Sequence, residues 1–259
     1  NPYLNDTDPS YISQGNSELD SEKSHAFNLS YSNFTQKFNI NLSARYSFTN
    51  NSIENVTRLM PDTEIEGLKN PTGKDVLYST YANIGKTRRA SVSAYVNWNA
   101  TPRTRIYMNM SGNYSYLEGG EGMRNDGWSL FAYGGAQQTL PHDWRISLNV
   151  FGQTPWIMLQ GKGSSFFDYG LSVNKSFLNK RLTLSAFASN FFKKYMDQSS
   201  TTEGAGFIRE SSYKYSRQRF GISVSYRIGE LKASVKKAAR TISNDDVKSG
   251  GSGSGGGGE

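Results

Sequence analysis

The stretch Phe38-Asn39-Ile40-Asn41-Leu42-Ser43-Ala44-Arg45-Tyr46-Ser47-Phe48-Thr49 alternates without a break. Phe38, Ile40, Leu42, Ala44, Tyr46 and Phe48 share one parity, while Asn39, Asn41, Ser43, Arg45, Ser47 and Thr49 share the other. Successive side chains of a β-strand point to opposite faces, so this period of two predicts a strand with one greasy and one wet face.

The pattern spreads outward in both directions. Between Ser24 and Ile228 about nine such segments can be counted. The same split recurs at Ala90, Val92, Ala94, Val96 and Trp98, and at Ile106, Met108, Met110, Tyr114 and Tyr116. Trp128, Leu130 and Ala132 repeat it, as do Trp144, Ile146, Leu148 and Val150. Phe167, Tyr169, Leu171 and Val173 follow, then Leu182, Leu184, Ala186 and Ala188, and finally Phe220, Ile222, Val224, Tyr226 and Ile228. About ten residues rising ~3.3 Å each and tilted by ~45° cover roughly 24 Å, close to the ~25 Å apolar band of a transmembrane β-barrel. Aromatic residues stand near the segment ends, at Phe38, Phe48, Trp98, Trp128, Trp144 and Tyr226, where interfacial girdles belong. Leu42, Val92, Met108, Leu148, Leu184 and Val224 are the expected lipid-facing residues. Lys175 breaks the apolar parity of its strand, close enough to the following turn to snorkel to the interface.

Composition agrees. The 259 residues include no cysteine, which removes disulfides and thiolate metal sites, and only 36% are apolar, with a mean hydropathy of −0.63. A soluble domain of this length should show long apolar runs, and a transmembrane helix needs about 18 consecutive apolar residues; neither occurs, because barrel strands spend only every second residue on lipid. The net charge of +7 is spread over turns, strand interiors and the tail. Single-strand nucleic-acid binders gather their aromatics on one compact platform, so no nucleic-acid partner is expected.

Connections alternate in length. Short ones fall at Thr35-Gln36-Lys37, Asn99 to Arg103, Pro141-His142-Asp143 and Asn179-Lys180-Arg181, and longer ones at 52–78, 117–127 and 193–216. Short turns are periplasmic and long loops extracellular in outer-membrane barrels. Gly161-Lys162-Gly163-Ser164 reads as a short hairpin on the outer side. Residues 1–230 form the expected barrel portion; 231–259 form a basic, then Gly/Ser-rich tail, expected to be disordered and periplasmic. An open sheet that is greasy on one side has edges that lipid does not tolerate, so further strands are expected upstream of Asn1. The start lacks an initiator Met and signal-peptide features, which reads as a fragment or processed piece.

Three stretches carry a family resemblance. The first is Asn1-Pro2-Tyr3 with Gly15-Asn16-Ser17-Glu18-Leu19 and Glu22-Lys23-Ser24, where Ser17 and Ser21 replace the family's prolines. The second is Tyr81-Ala82-Asn83-Ile84-Gly85-Lys86 with Asn97-Trp98-Asn99 and Thr101-Pro102. The third is Gly229-Glu230-Leu231-Lys232 with Arg240-Thr241-Ile242-Ser243-Asn244-Asp245-Asp246. Together they resemble the outer-membrane β-barrel proteins of Bacteroidota related to TonB-dependent receptors, in their last strands. The resemblance implies an all-β, antiparallel transmembrane barrel segment of about nine or ten strands within a barrel of about 22. It also implies a bacterial outer-membrane location, lipid as a partner, an upstream plug, coupling to TonB through that missing part, and uptake of an unidentified nutrient or chelate. A non-transporting anchor or surface-assembly protein is the alternative.

No enzyme chemistry is expected. Thr80 to Thr87 ends in Gly85-Lys86-Thr87, but the first glycine of a phosphate loop is replaced by Thr80 and no strand-to-helix pattern surrounds it. His25 and His142 have no ligand spacing and no nucleophile motif, so no catalytic, cofactor or metal residue is assigned. Sequons such as Asn28-Leu29-Ser30 are expected by chance in an Asn/Ser-rich strand. Arg45, Arg105, Arg145 and Arg227 lie on the polar parity and are the candidate lumen-lining residues, either shaping a pathway or simply solvated. The loops 51–74, 119–126 and 198–210 are the expected recognition sites.

Overall fold

The computed structural model describes residues 3–229. Fifteen strands follow one another: β1 (Leu4–Asp8), β2 (Tyr11–Gln14), β3 (Lys23–Phe34), β4 (Phe38–Pro61), β5 (Asp75–Thr101), β6 (Thr104–Glu118), β7 (Arg124–Leu140) and β8 (Trp144–Gln153). They continue with β9 (Ile157–Met158), β10 (Gly161–Lys162), β11 (Phe166–Phe177), β12 (Leu182–Ser189), β13 (Tyr195–Gly204), β14 (Phe207–Ser216) and β15 (Arg219–Tyr226). Two single 3-10 turns, Asp62–Glu64 and Gly120–Gly122, are the helical elements among the described residues.

Nine of these strands form an antiparallel wall in the order β3-β4-β5-β6-β7-β8-β11-β12-β15, matching the alternating segments of the sequence. Its register is consistent from edge to edge. Leu42 faces Ala94, Ala94 faces Met110, Met110 faces Ala132, Ala132 faces Gly152, and Gly152 faces Phe167, so the apolar parities of six strands fall on one face. Val173, Ala186 and Ile222 continue that face to the last strand. Directly opposed side chains of an antiparallel pair share a face, so a one-residue slip anywhere would have mixed the two.

Among the described residues few apolar side chains are buried: Ile12, Val56, Ile65, Val76, Leu117 and Leu159. All stand at the long-connection end, where Ile12, Ile65 and Val76 pack with Leu4, Met60, Leu68 and Tyr78. The wall buries no core of its own, and Leu42, Val92, Met108, Leu148, Leu184 and Val224 are 38–67% exposed. A sheet surrounded by water would need a second layer over such a face; a bilayer supplies one.

The long connections depart from the sequence reading. Residues 52–78 are largely an arm rather than a loop, because β4 and β5 stay paired as far as Pro61 and Asp75. Two register shifts in succession, at Asn50/Ser52 with Asn51 at φ 58° and at Ser52/Ile53 opposite Ile84, add one residue to each strand and shift the parity of both, which hid the continuation. The stretch 193–216 is mostly the hairpin β13–β14, and 117–127 is mostly the ends of β6 and β7 around one 3-10 turn. Gly161-Lys162 is not a hairpin tip between wall strands. It forms β10, which pairs with β9 and β13 in a second sheet of order β14-β13-β10-β9. The final strand ends at Tyr226, so Arg227 and Ile228 fall past its end. The tail expected at 231–259 lies outside the described residues.

Two of the resembling stretches meet. Asn16 donates from Nδ2 to the Tyr81 carbonyl at 2.9 Å, and Asn83 bonds the backbone of Asp20 in both directions at 2.7 and 2.8 Å. The segment between β2 and β3 is thereby laid along β5. The third stretch lies outside the described residues apart from Gly229.

Candidate functional site: the polar face and its cap

The polar parities of the wall form one continuous surface. Ser43 and Ser93 share a hydroxyl hydrogen bond of 2.6 Å across β4 and β5. Arg105 donates from Nε to Asn97 Oδ1 at 2.7 Å and lies 5.8 Å from the Tyr107 ring, while the Tyr107 hydroxyl donates to Asn149. The remaining candidates do not gather around it. Arg45 stands opposite Asn28 and Ser91, and Arg145 opposite Thr139 and Asn174, both exposed on the same face but on other strands. Arg227, placed by sequence parity on the last strand, falls past its end.

Parity reasoning missed the main feature of this face. Tyr107 and Tyr133 lie 5.8 Å apart, Tyr133 and Phe151 6.3 Å, Phe131 and Phe151 5.5 Å, and Phe151 and Phe166 4.8 Å. These rings occupy positions opposite to the apolar parity, and because β6, β7, β8 and β11 are neighbours in that order they form one aromatic patch on an otherwise polar face. The signal was present in the sequence as aromatics at 131, 133, 151 and 166, but only strand order shows that they meet. Gly135 makes room for the patch, since a Cβ there would stand 2.7 Å from the Tyr107 hydroxyl.

Above this face sits the cap. Gln160 makes a two-way amide bridge to β4, accepting from the Thr57 amide at 2.7 Å and donating to the Thr57 carbonyl at 2.9 Å, with both residues buried. The Glu203 amide donates to the Gln160 carbonyl at 2.8 Å, so one residue joins the arm, the β9–β10 turn and β13. Asn125 donates to the carbonyls of Met158 and Gly161. Arg209 of β14 lies 3.8 Å above the Tyr11 ring. At the arm tip, buried Asp62 accepts from the Thr72 amide at 2.6 Å, the Thr72 hydroxyl at 2.8 Å and the Gly73 amide at 2.8 Å. These bonds, the Thr72 amide foremost, outweigh desolvation and hold its carboxyl below the ordinary value.

The other face is bounded at both ends by aromatic residues. Phe38, Trp98, Trp144, Phe177 and Tyr226 stand at the short-turn end, and Tyr46, Phe48, Tyr114 and Trp128 toward the cap. Lys175 donates to the His142 carbonyl in the adjacent turn and lies 5.4 Å from Trp144 and 5.3 Å from Phe177, so it snorkels to the short-turn end. Charge reappears just above Trp128. There the Tyr114 hydroxyl donates to Asp126, and Arg124 lies 4.8 Å from the Tyr116 ring.

The family model for outer membrane protein beta-barrels matches residues 1–226, the whole wall and its cap. The chain belongs to the outer membrane protein beta-barrel family. No curated relative matches it in sequence. Membership places this family member in the bacterial outer membrane, and it accounts for a sheet that is greasy on one side without a second layer to cover it. The sequence decoys have structural explanations in the barrel. Thr80 to Thr87 is interior to β5, so its backbone is committed to strand pairing. His25 stacks on Phe48 at 5.0 Å on the apolar face, and His142 occupies a turn at φ 60°. Among the described residues, no three His, Cys, Asp or Glu side chains converge where a metal ion could sit.

Proposed function

We propose that this wall is part of a larger barrel of TonB-dependent-receptor type, of the kind found in Bacteroidota, importing a nutrient or chelate rather than catalysing a reaction. The supporting observation is the wall with two free edges. Among the described residues β3 pairs only with β4 and β15 only with β12. Lipid does not tolerate unpaired strand edges, and further strands bringing the total to about 22 would close a lumen wide enough to hold a plug. The polar face then lines that lumen, with Arg45, Arg105, Arg145 and the aromatic patch on the pathway and Leu42, Val92, Met108, Leu148, Leu184 and Val224 against lipid. TonB would couple through the plug, and the chain itself needs no cofactor. Cells with and without the full-length protein, fed a mixture of labelled chelates and oligomers, test this. Accumulation that requires both the protein and the proton gradient supports import.

The ordered cap favours a second reading. Its own buried core and second sheet would serve equally as a surface platform anchored by the barrel. Undiminished accumulation of every compound in cells that lack the protein would sink import and leave the anchor.

A further inference from the structure

One part of the lipid-side face is hollow. Ala132 of β7 faces Gly152 of β8, and Gly152 faces Phe167 of β11, so small residues make a floor between larger neighbours. Leu130 and Phe167, 54% and 58% exposed, form its walls with Tyr169 and Met196 around a cavity of about 700 Å³. That is within the ~300–1,000 Å³ usual for small-molecule sites. Leu130 follows Trp128 of the aromatic belt by two residues on the same face, which places the hollow at acyl-chain depth just below the headgroups of the outer leaflet.

The rim is basic and aromatic. Asn190, at φ 49°, follows the last residue of β12; its amide donates to the Tyr169 carbonyl at 2.9 Å and its Nδ2 to Asp168 at 2.7 Å. This turn brings Phe191 and Phe192 back over Tyr169, at 5.1 and 6.0 Å, with Phe192 86% exposed toward lipid. Lys193 follows at the mouth of the hollow, beside Tyr195. Lys194 and Lys214 flank the Tyr195 ring at 5.3 and 5.4 Å. The carboxylate among them is Asp197, 4.0 Å from Lys193, so three lysines face one acid. Rings in the acyl layer beneath lysines at the headgroup layer suit an amphiphile with an anionic head.

We propose that this hollow holds an acyl chain of a phosphate-bearing outer-leaflet glycolipid, with Lys193, Lys194 and Lys214 on its phosphate. The ligand's chain fits a floor of small residues that a flat lipid-facing strand would not leave, and its headgroup answers the excess of lysine. Native mass spectrometry of the full-length protein in detergent tests this with three probes: a multi-acylated phosphorylated glycolipid, the same lipid without phosphate, and inorganic phosphate. Retention of the phosphorylated lipid should fall roughly fivefold for each of Lys193→Gln and Lys194→Gln, with both variants still assembling as barrels. Ala132→Leu, which fills the hollow, should weaken both lipids alike. Equal retention of the two lipids, indifference to the lysine changes, or displacement of the lipid by inorganic phosphate would overturn the proposal. So would a second polypeptide, held at wild-type level and lost in Ala132→Leu, because the hollow would then be a protein interface.

Discussion

The side-chain amide of Gln160 does for the cap what backbone amides do for the wall. It pairs with Thr57 through both a donor and an acceptor in a buried setting, so Gln160→Leu leaves the Thr57 amide and carbonyl unmatched. The expected cost is about 1–3 kcal/mol per unsatisfied group, read as faster amide exchange in 55–59 of the full-length protein while the wall strands remain protected. Asp62 makes a different prediction, in pH. Its pKa is lowered in the folded arm, so the carboxylate stabilises the arm above its ordinary value of 3.8 and loses that effect as pH falls through the folded value. Protection of the Thr72 and Gly73 amides, corrected for intrinsic exchange, should hold from neutral pH down to about 4 and collapse below it. In Asp62→Asn that pH dependence should vanish.

At the scale of the element, β4 runs through two environments. From Phe38 to Thr49 it is a strand of the wall, and after the bulge at Asn51 it is one side of the β4–β5 arm; on the proposed reading the first part meets lipid and the second does not. Single cysteines through 38–49 of the full-length protein, in outer-membrane vesicles, should react alternately, even positions with a lipid-dissolved reagent and odd positions with a water-soluble one. Beyond Asn51 the lipid-dissolved reagent should lose access at both parities. Reaction of both parities of 38–49 with the water-soluble reagent alone would remove β4 from the membrane. Gly161 belongs to the same scale. It sits at φ 136° with a Cβ position that would overlap the Thr201 carbonyl, so Gly161→Val should release β10 from β13 without touching wall pairing.

For the whole molecule, the face on which a charge is placed decides its effect. Leu42→Arg puts a cation on the apolar face of β4; if that face meets lipid, the change should cost roughly 2–4 kcal/mol near the bilayer midplane, measured as urea-dependent unfolding of the full-length barrel in vesicles. Arg145→Gln removes an exposed cation on the polar side and should leave that stability within about 0.5 kcal/mol, as surface changes away from special features do. If import is the function, Arg145→Gln should instead alter uptake. Comparable destabilisation by the two substitutions would contradict the division of faces.

The sequence by itself determined the strands of the wall and which side of each is apolar, because a strand's side-chain period of two is local and is written directly in residues such as Phe38 to Thr49. It also held the aromatic belts, since girdle residues are set by distance along one strand. What it did not hold was anything that depends on which strands become neighbours. The arm beyond Asn51 was hidden because one extra residue on each strand, Asn51 on β4 and Ile84 on β5, reverses parity. The aromatic patch of Tyr107, Tyr133, Phe151 and Phe166 and the hollow between Ala132 and Gly152 arise from adjacent strands, and the bridge from Gln160 to Thr57 spans 103 residues of sequence. Those features were decided only by the tertiary structure, because strand register and loop docking are set by cooperative pairing across the sheet and not by the pattern within any one segment.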